Sequence, residues 1–251
     1  MNPTLELLDA RSSTRVYAPE PISDADKDAI LSATFRAPTG GNMMLYTIIE
    51  VADQEIKERL VVTCDDQPFI AKAPWVLVFV ADFQKWTDLF EFSDVASLGA
   101  GQRTPGPGDL LLACSDALIA AQNAVIAAES LGIGSCYIGD ILENAEEHME
   151  LFGLPPHTLP VAMLCFGHPA LTRPRVPRHT AHMVHVNRYE RLTGDDMAEI
   201  SAELEREYAP NGNKPGLASY VQAIYQRKYD SEFMAEMNRS VAVWLERWQG
   251  R

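Results

Sequence analysis

Arg11, Ser12, Ser13, Thr14 and Arg15 stand in one unbroken stretch of the 251-residue chain, with no carboxylate between them. Two guanidinium forks and up to three hydroxyls suit a phosphate, because arginine supplies paired donors with full charge and the hydroxyls fill the remaining oxygens. A second set, Arg173-Pro174-Arg175-Val176-Pro177-Arg178, spaces three more arginines along a stiff, partly polyproline segment. Each stretch also has a plainer reading, as a solvated helix end whose arginines complement the dipole and as a solvated basic loop. In a chain whose formal net charge is -14, five arginines gathered into two short segments favour service to an anion.

Other residues carry weaker signals. The loop Arg36-Ala37-Pro38-Thr39-Gly40-Gly41-Asn42 has paired glycines that permit positive φ and close approach of a ligand, and its Asn42 is either a turn residue or a ligand-facing amide. Cys136 reads as a small buried hydrophobe, with a redox thiol as the alternative. His179, His182 and His185 recur at intervals of three, which in an extended segment sends successive members to opposite faces, so no metal is expected there. No Ser-His-Asp set and no carboxylate pair stands out.

These residues need elements to hold them. The stretch Gly108–Asp140 is the apolar centre of the chain, and its pattern predicts a helix over 109–131, buried on nearly every side, with Asp109 as cap and Gly132 as left-handed terminator. Such a helix is a core element or the shared spine of a dimer. Its internal Asp116, Gln122, Asn123 and Glu129 and its Gly-Pro entrance argue against a membrane span. A short helix over 3–10 leads into Arg11, and a second opens at Ser23 with Asp26 as capping partner and runs to Phe35. Short apolar β-branched runs predict strands over 45–52, 75–81, 134–139 and 159–167, with helices after Asp53 and over 144–152. This interleaving predicts one layered α/β core with helices on both faces. Residues 82–108 read as a long loop, either a substrate-facing cover or a surface excursion, in which Trp86, Phe90 and Phe92 stack over a substrate or cover the core. Trp75, Phe79 and Tyr137 are assigned to the core. Beyond Asn187 the chain is polar and helical, over about 195–208, 217–229 and 231–248, and is expected to wrap the body or a partner subunit.

Composition narrows the class. The chain is 47% hydrophobic and 22% charged, ordinary for a globular protein with a sizeable core. Its acidity works against nucleic acid or an anionic membrane as partner, since no basic patch could release counterions. Cys64, Cys114, Cys136 and Cys165 form no CxxC, and the N-terminus shows no signal peptide, so a reducing cytoplasm is expected.

Arg11-x-Ser13-x-Arg15-x-Tyr17, Ala37-Pro38-Thr39 with Asn42, Gln67, Ser135-Cys136-Tyr137-Ile138-Gly139 and Phe166-Gly167-His168-Pro169 with later arginines occur here in one order. That order resembles the nitroreductase family of FMN-dependent oxidoreductases, and within it the larger group of oxygen-insensitive nitroreductases and NAD(P)H flavin reductases. The resemblance implies a three-layer α-β-α fold of α/β (α+β) type with a mixed central sheet. It implies a single FMN-binding domain over 1–251, whose residues 187–251 form a helical extension clasping the other subunit of a homodimer, with FMN at the interface. It also implies site residues. Arg11, Ser13 and Arg15 would hold the phosphate, with Ser12 where the family often has a basic residue or histidine. Asn42 and Gln67 would bond the polar edge or ribityl chain of the flavin. Ile138, Gly139 and Asp140 would lie beside the N5 and O4 edge, and Arg173 and Arg175 would reach the phosphate or the N1 side. The family often has a glutamine where Met44 stands, and its flavin reductase group has an arginine that helps select NADPH near Asn211, for which Lys214 is a candidate substitute. The implied reaction is a ping-pong cycle in which NAD(P)H reduces the flavin and a nitroaromatic, a quinone or free flavin reoxidises it, without a protein nucleophile. Other acceptors, or FMN binding without turnover, are the alternatives.

Overall fold

The computed structural model describes residues 2–99, 103–171 and 178–250. Its contacts divide the chain into two compact units, residues 1–174 with 236–251, and residues 175–235.

The first unit is built on a sheet of four strands, β1 (Tyr46–Glu50), β2 (Trp75–Asp82), β3 (Gly134–Ile138) and β4 (Thr158–Gly167), in the order β1-β2-β4-β3. Helices α1 (Pro3–Ala10), α2 (Asp24–Thr34), α3 (Gln54–Thr63), α4 (Phe69–Lys72), α5 (Gln84–Phe92), α6 (Pro107–Ser130) and α7 (Ala145–Leu151) fall between or before the strands. The layered α+β class expected from the sequence is what forms. Its sheet, however, is antiparallel at every described pairing, where a mixed sheet was expected. β2 and β3 do run in the same direction, joined through α6. β4 then returns between them, so each adjacent pair is antiparallel and any parallel relation is between non-neighbours.

Strand alternation sorts β2 into two cores. Val76, Val78 and Val80 face one cluster with Leu60, Cys64, Ile70, Trp244 and Trp248. Trp75, Leu77 and Phe79 face the other, with Ile30 of α2 and the alanines of α6. Ala113, Ala117, Ala120, Ala121, Ala124 and Ala128 are fully buried, and their three- and four-residue spacing puts them on one helix face. With side chains this small the α6 backbone approaches the sheet closely, and a larger residue there would cost about 1–3 kcal/mol in overpacking.

The opposite face of α6 is not covered among the described residues of this unit. Leu111, Leu112, Leu118 and Ile119 are exposed, so α6 is buried on one side and apolar on both. By length and hydropathy it is able to cross a bilayer, but its alanine face packs against protein. It also starts earlier than expected. Gly106 is the cap, Pro107 the first residue, and Asp109 reaches back to the Gly106 N–H at 2.8 Å. Proline suits that position because its missing N–H has no partner to lose there.

Other boundaries follow their local signals. Ser23 caps α2 by accepting from the Asp26 N–H, Asp53 caps α3, and Gly132 ends α6 with φ 74°. The expected loop over 82–108 instead contains α5 and a turn of 3-10 helix, Val95–Leu98. Trp86 on α5 packs against the core and donates to the Met43 carbonyl at 2.8 Å, while Phe92 stays 89% exposed. Tyr137 is also exposed rather than core, because alternation along β3 buries Cys136 and Ile138 and turns it outward.

The second unit holds α8 (Gly194–Tyr208) and α9 (Tyr220–Ile224), the latter continued by a wide turn over Tyr225–Tyr229. Tyr208 and Tyr220 stack at 5.2 Å, and His179 Nδ1 lies 2.6 Å from Glu203 Oε2. α10 (Glu232–Trp248) begins in this unit, and from Glu236 its residues belong to the first, where Trp244 and Trp248 are buried.

Candidate functional site

Arg11 follows directly on α1, and the chain from there to Ala18 is neither helix nor strand, with a bend at Val16 and an isolated bridge from Tyr17 to Pro169. It lies against the ends of β3 and β4 through backbone bonds: Thr14 N to Ser135 O at 2.9 Å, Ala18 N to His168 O at 2.8 Å and Ala170 N to Val16 O at 3.1 Å. Two glycines make room. A Cβ on Gly134 would sit 2.2 Å from Thr14 Oγ1, and one on Gly167 would sit 2.5 Å from the Tyr17 ring and 2.9 Å from Pro74. Neither gap accepts a side chain.

This docking sorts the segment by alternation. Thr14 turns inward and is buried, while Ser13 and Arg15 reach the sulfur of Cys136. Burial pushes the Cys136 thiol up, and Arg15, Ser13 and Arg11 recover part of the shift. The thiol therefore stays protonated at neutral pH, which fits the reading of Cys136 as a small buried side chain. Arg15 also lies over the Phe69 ring at 5.7 Å and lines a cavity of about 360 Å³ with Tyr17, Phe69 and Lys72. Arg11 faces Tyr137 and Glu129, whose carboxyl burial pushes up and Arg11 pulls down. Among the described residues neither Arg11 nor Arg15 forms a carboxylate salt bridge. Ser12 is half-buried beside them. The donor set of a phosphate site is thus gathered beside Cys136.

A second group lies at the far end of β3. Ile138 is buried, Gly139 is exposed, and a Cβ at Gly139 would meet nothing within 4 Å. The backbone there is open to a planar ligand. Gln67 donates from Nε2 to Asp140 Oδ2 and to the Cys64 carbonyl, both at 2.8 Å, which leaves its Oε1 to accept. The turn Asp140–Leu142 is fixed from behind. His148 is fully buried, with Nδ1 2.9 Å from Ile141 O and Nε2 2.8 Å from Thr63 Oγ1. A carbonyl only accepts, so Nδ1 carries the hydrogen and the Thr63 hydroxyl donates to Nε2. Burial holds this imidazole below its ordinary value. Trp244 donates to Leu142 O at 3.0 Å.

Asn42 stands apart from the Arg11–Arg15 group. Its loop is tied to Asp116 of α6, whereas Arg11 faces Glu129, thirteen residues and therefore about 20 Å further along the same helix. Asn42 is exposed, with a left-handed backbone (φ 58°). Arg173 and Arg175 lie outside the described residues.

Several contributors were not singled out from sequence. Gly134 and Gly167 were visible as glycines at strand ends, but what they accommodate is remote in the chain. Asp116 and His148 gave no signal beyond being polar residues in helices.

The sequence profile of the Nitroreductase family matches residues 8–168. An oxygen-insensitive NADPH nitroreductase of Salmonella typhimurium is 36% identical over 214 residues, 85% of each chain. An NADPH-flavin oxidoreductase of Vibrio harveyi is 29% identical over 232 residues, 89% of this chain and 90% of that one. Among solved structures, nitroreductase A of Vibrio parahaemolyticus superposes with a TM-score of 0.80 at 28% identity, covering 98% of both chains. The docked Arg11–Arg15 segment, the open strand end and these matches over most of the chain agree, and the chain belongs to the Nitroreductase family.

Proposed function

We propose that this chain is an FMN-dependent oxidoreductase that takes electrons from NADH or NADPH and passes them to nitroaromatics, quinones or free flavin. The observation that carries the reading is the gathering of Arg11, Ser13 and Arg15 at one edge of β3, without a carboxylate salt bridge among the described residues. Relatives named as NADPH nitroreductase, NADPH-flavin oxidoreductase and FMN reductase support it. Bound FMN would supply the two-electron redox chemistry. The protein's part is to hold and orient: Arg11, Ser12, Ser13 and Arg15 bind the phosphate, and Gln67 Oε1 with the Gly139 and Asp140 backbone meets the polar edge of the ring. Ile138 anchors that strand end in the core. Arg173 and Arg175 are proposed as further cations for the phosphate or the N1 side, and Asn42 as an amide for the ring or ribityl chain.

The site is proposed to be completed in a homodimer. The exposed Leu111, Leu112, Leu118 and Ile119 of α6 supply an apolar face for it, and the distance along α6 between the Asn42 loop and Arg11 supports contributions from two subunits. Four free cysteines support a cytoplasmic location. The test is anaerobic: purified protein loaded with FMN is mixed with NADH or NADPH, and the flavin absorbance is followed. Bleaching by either donor and recovery on adding a nitroaromatic is expected. Flavin that neither donor bleaches would leave a binding protein and refute the enzyme.

A further inference from the structure

Asp116 is a carboxylate in the middle of a largely apolar helix, only 5% exposed. Burying such a charge is unfavourable unless donors surround it. Among the described residues its donors all come from one loop. The Thr39 hydroxyl donates to Oδ2, the Gly40 N–H to Oδ1 at 3.1 Å and the Leu45 N–H to Oδ2 at 3.1 Å. Thr39 Oγ1 in turn accepts from the Met44 N–H at 2.8 Å. One carboxylate therefore ties the entrance and the exit of the same loop.

What lies between the ties is strained. Gly41, Asn42 and Met44 have φ of 59°, 58° and 49°, so two non-glycine residues sit in the left-handed region. Such conformations are disfavoured for side chains, less for asparagine than for methionine, and persist where the surroundings hold them. Trp86, donating to Met43 O, is a further restraint. At the apex Asn42 is exposed and its side chain forms no hydrogen bond among the described residues. A loop held in a strained shape around an unused amide is preorganised for something outside the chain.

The geometry points to Asp116 as a positioning residue that acts through Asn42: it holds the 39–44 loop in the conformation that presents this amide to the flavin. This rests on the FMN reading above and adds to it a residue that does not touch the ligand. Asp116→Asn keeps the shape and replaces one acceptor oxygen by a donor facing N–H groups. Thr39→Val removes only the hydroxyl link.

The test is a double-mutant cycle on FMN affinity, measured by flavin fluorescence quenching on apoprotein, for Asp116→Asn, Asn42→Ala and the double variant, with Arg15→Ala as control. Asp116→Asn and Asn42→Ala are each expected to weaken FMN about tenfold, and the double variant no more than the weaker single one. A change in the bound-flavin absorption envelope should be common to all three. Should Asp116→Asn fold poorly, Thr39→Val carries the same test against Asn42→Ala with a smaller loss. Losses that multiply in the double variant, or unchanged affinity in both Asp116→Asn and Thr39→Val, overturn the inference. Unchanged affinity in Arg15→Ala as well would instead defeat the FMN reading beneath it.

Discussion

The Arg11–Ala18 segment and the Thr39–Met44 loop both present candidate ligand groups, but they are held by opposite means. The first is fixed by backbone pairing to β3 and β4 and by two missing side chains, Gly134 and Gly167. The second pairs with no strand among the described residues and is tied chiefly by a buried carboxylate, Asp116, seventy-odd residues away, with the Trp86 indole as a further restraint. Backbone pairing fixes the segment through its main chain and makes the spacing of Ser13 and Arg15, which both reach Cys136, meaningful, since every second residue shares a face. A loop closed largely by one anion can adopt left-handed conformations that pairing would not allow, but it rests on few residues. The turn after β3 resembles the loop in this respect, with His148 in the part of Asp116.

The strongest test of this contrast is Gly167→Ala, whose Cβ would be wedged between Tyr17 and Pro74. Overpacking there is expected to lower stability by about 1–3 kcal/mol and to weaken FMN together with it. Thermal unfolding and FMN titration read the two effects. A fully stable Gly167→Ala variant would mean that the segment does not need its close approach.

A smaller effect is expected at the turn. His148 binds its proton less readily in the folded chain than in the unfolded one, so the unfolded state takes up protons first as pH falls. Stability is therefore full above the ordinary histidine value of about 6.5 and declines below it. The decline is at most about 1.4 kcal/mol per pH unit, and it levels once the depressed native value is passed. His148→Gln should flatten that part of the pH–stability curve measured by denaturant unfolding. Identical slopes with and without the imidazole would contradict the assignment.

The smallest effect is expected at Phe92, which is nearly fully exposed. Phe92→Ala should change stability by less than about 0.5 kcal/mol. Steady-state kinetics with a nitroaromatic then decides whether this ring touches substrate: an unchanged KM is expected, and a raised KM would make α5 part of the site.

What was legible in the sequence was local. Ser23 with Asp26, Asp53 before α3 and Gly132 after α6 mark their helix ends because cap chemistry spans only a few residues. Arg11, Ser13 and Arg15 were legible as an anion site because residue type and spacing state the chemistry. Gly106 as the cap of α6 was missed because Asp109, the better capping type, stands three residues on and serves the same cap from within. α5 was missed because its aromatic and charged residues mimic a loop. The exposed face of α6 could not be told from a buried one, as leucines on either face read alike. Asp116, Gly134 and Gly167 act on partners far away in the chain, and sequence spacing carries no record of such contacts.

The central claim is that Arg11, Ser13 and Arg15 hold a phosphate, and the direct measurement is the affinity of apoprotein for FMN against riboflavin, which lacks that group. Charge-assisted hydrogen bonds of about 1.5–3 kcal/mol each imply that the wild type prefers FMN by at least about 100-fold. Arg15→Ala should cut that preference by about tenfold or more while leaving riboflavin binding unchanged. Equal affinities for FMN and riboflavin in the wild type, or an unaltered ratio in Arg15→Ala, would contradict the account.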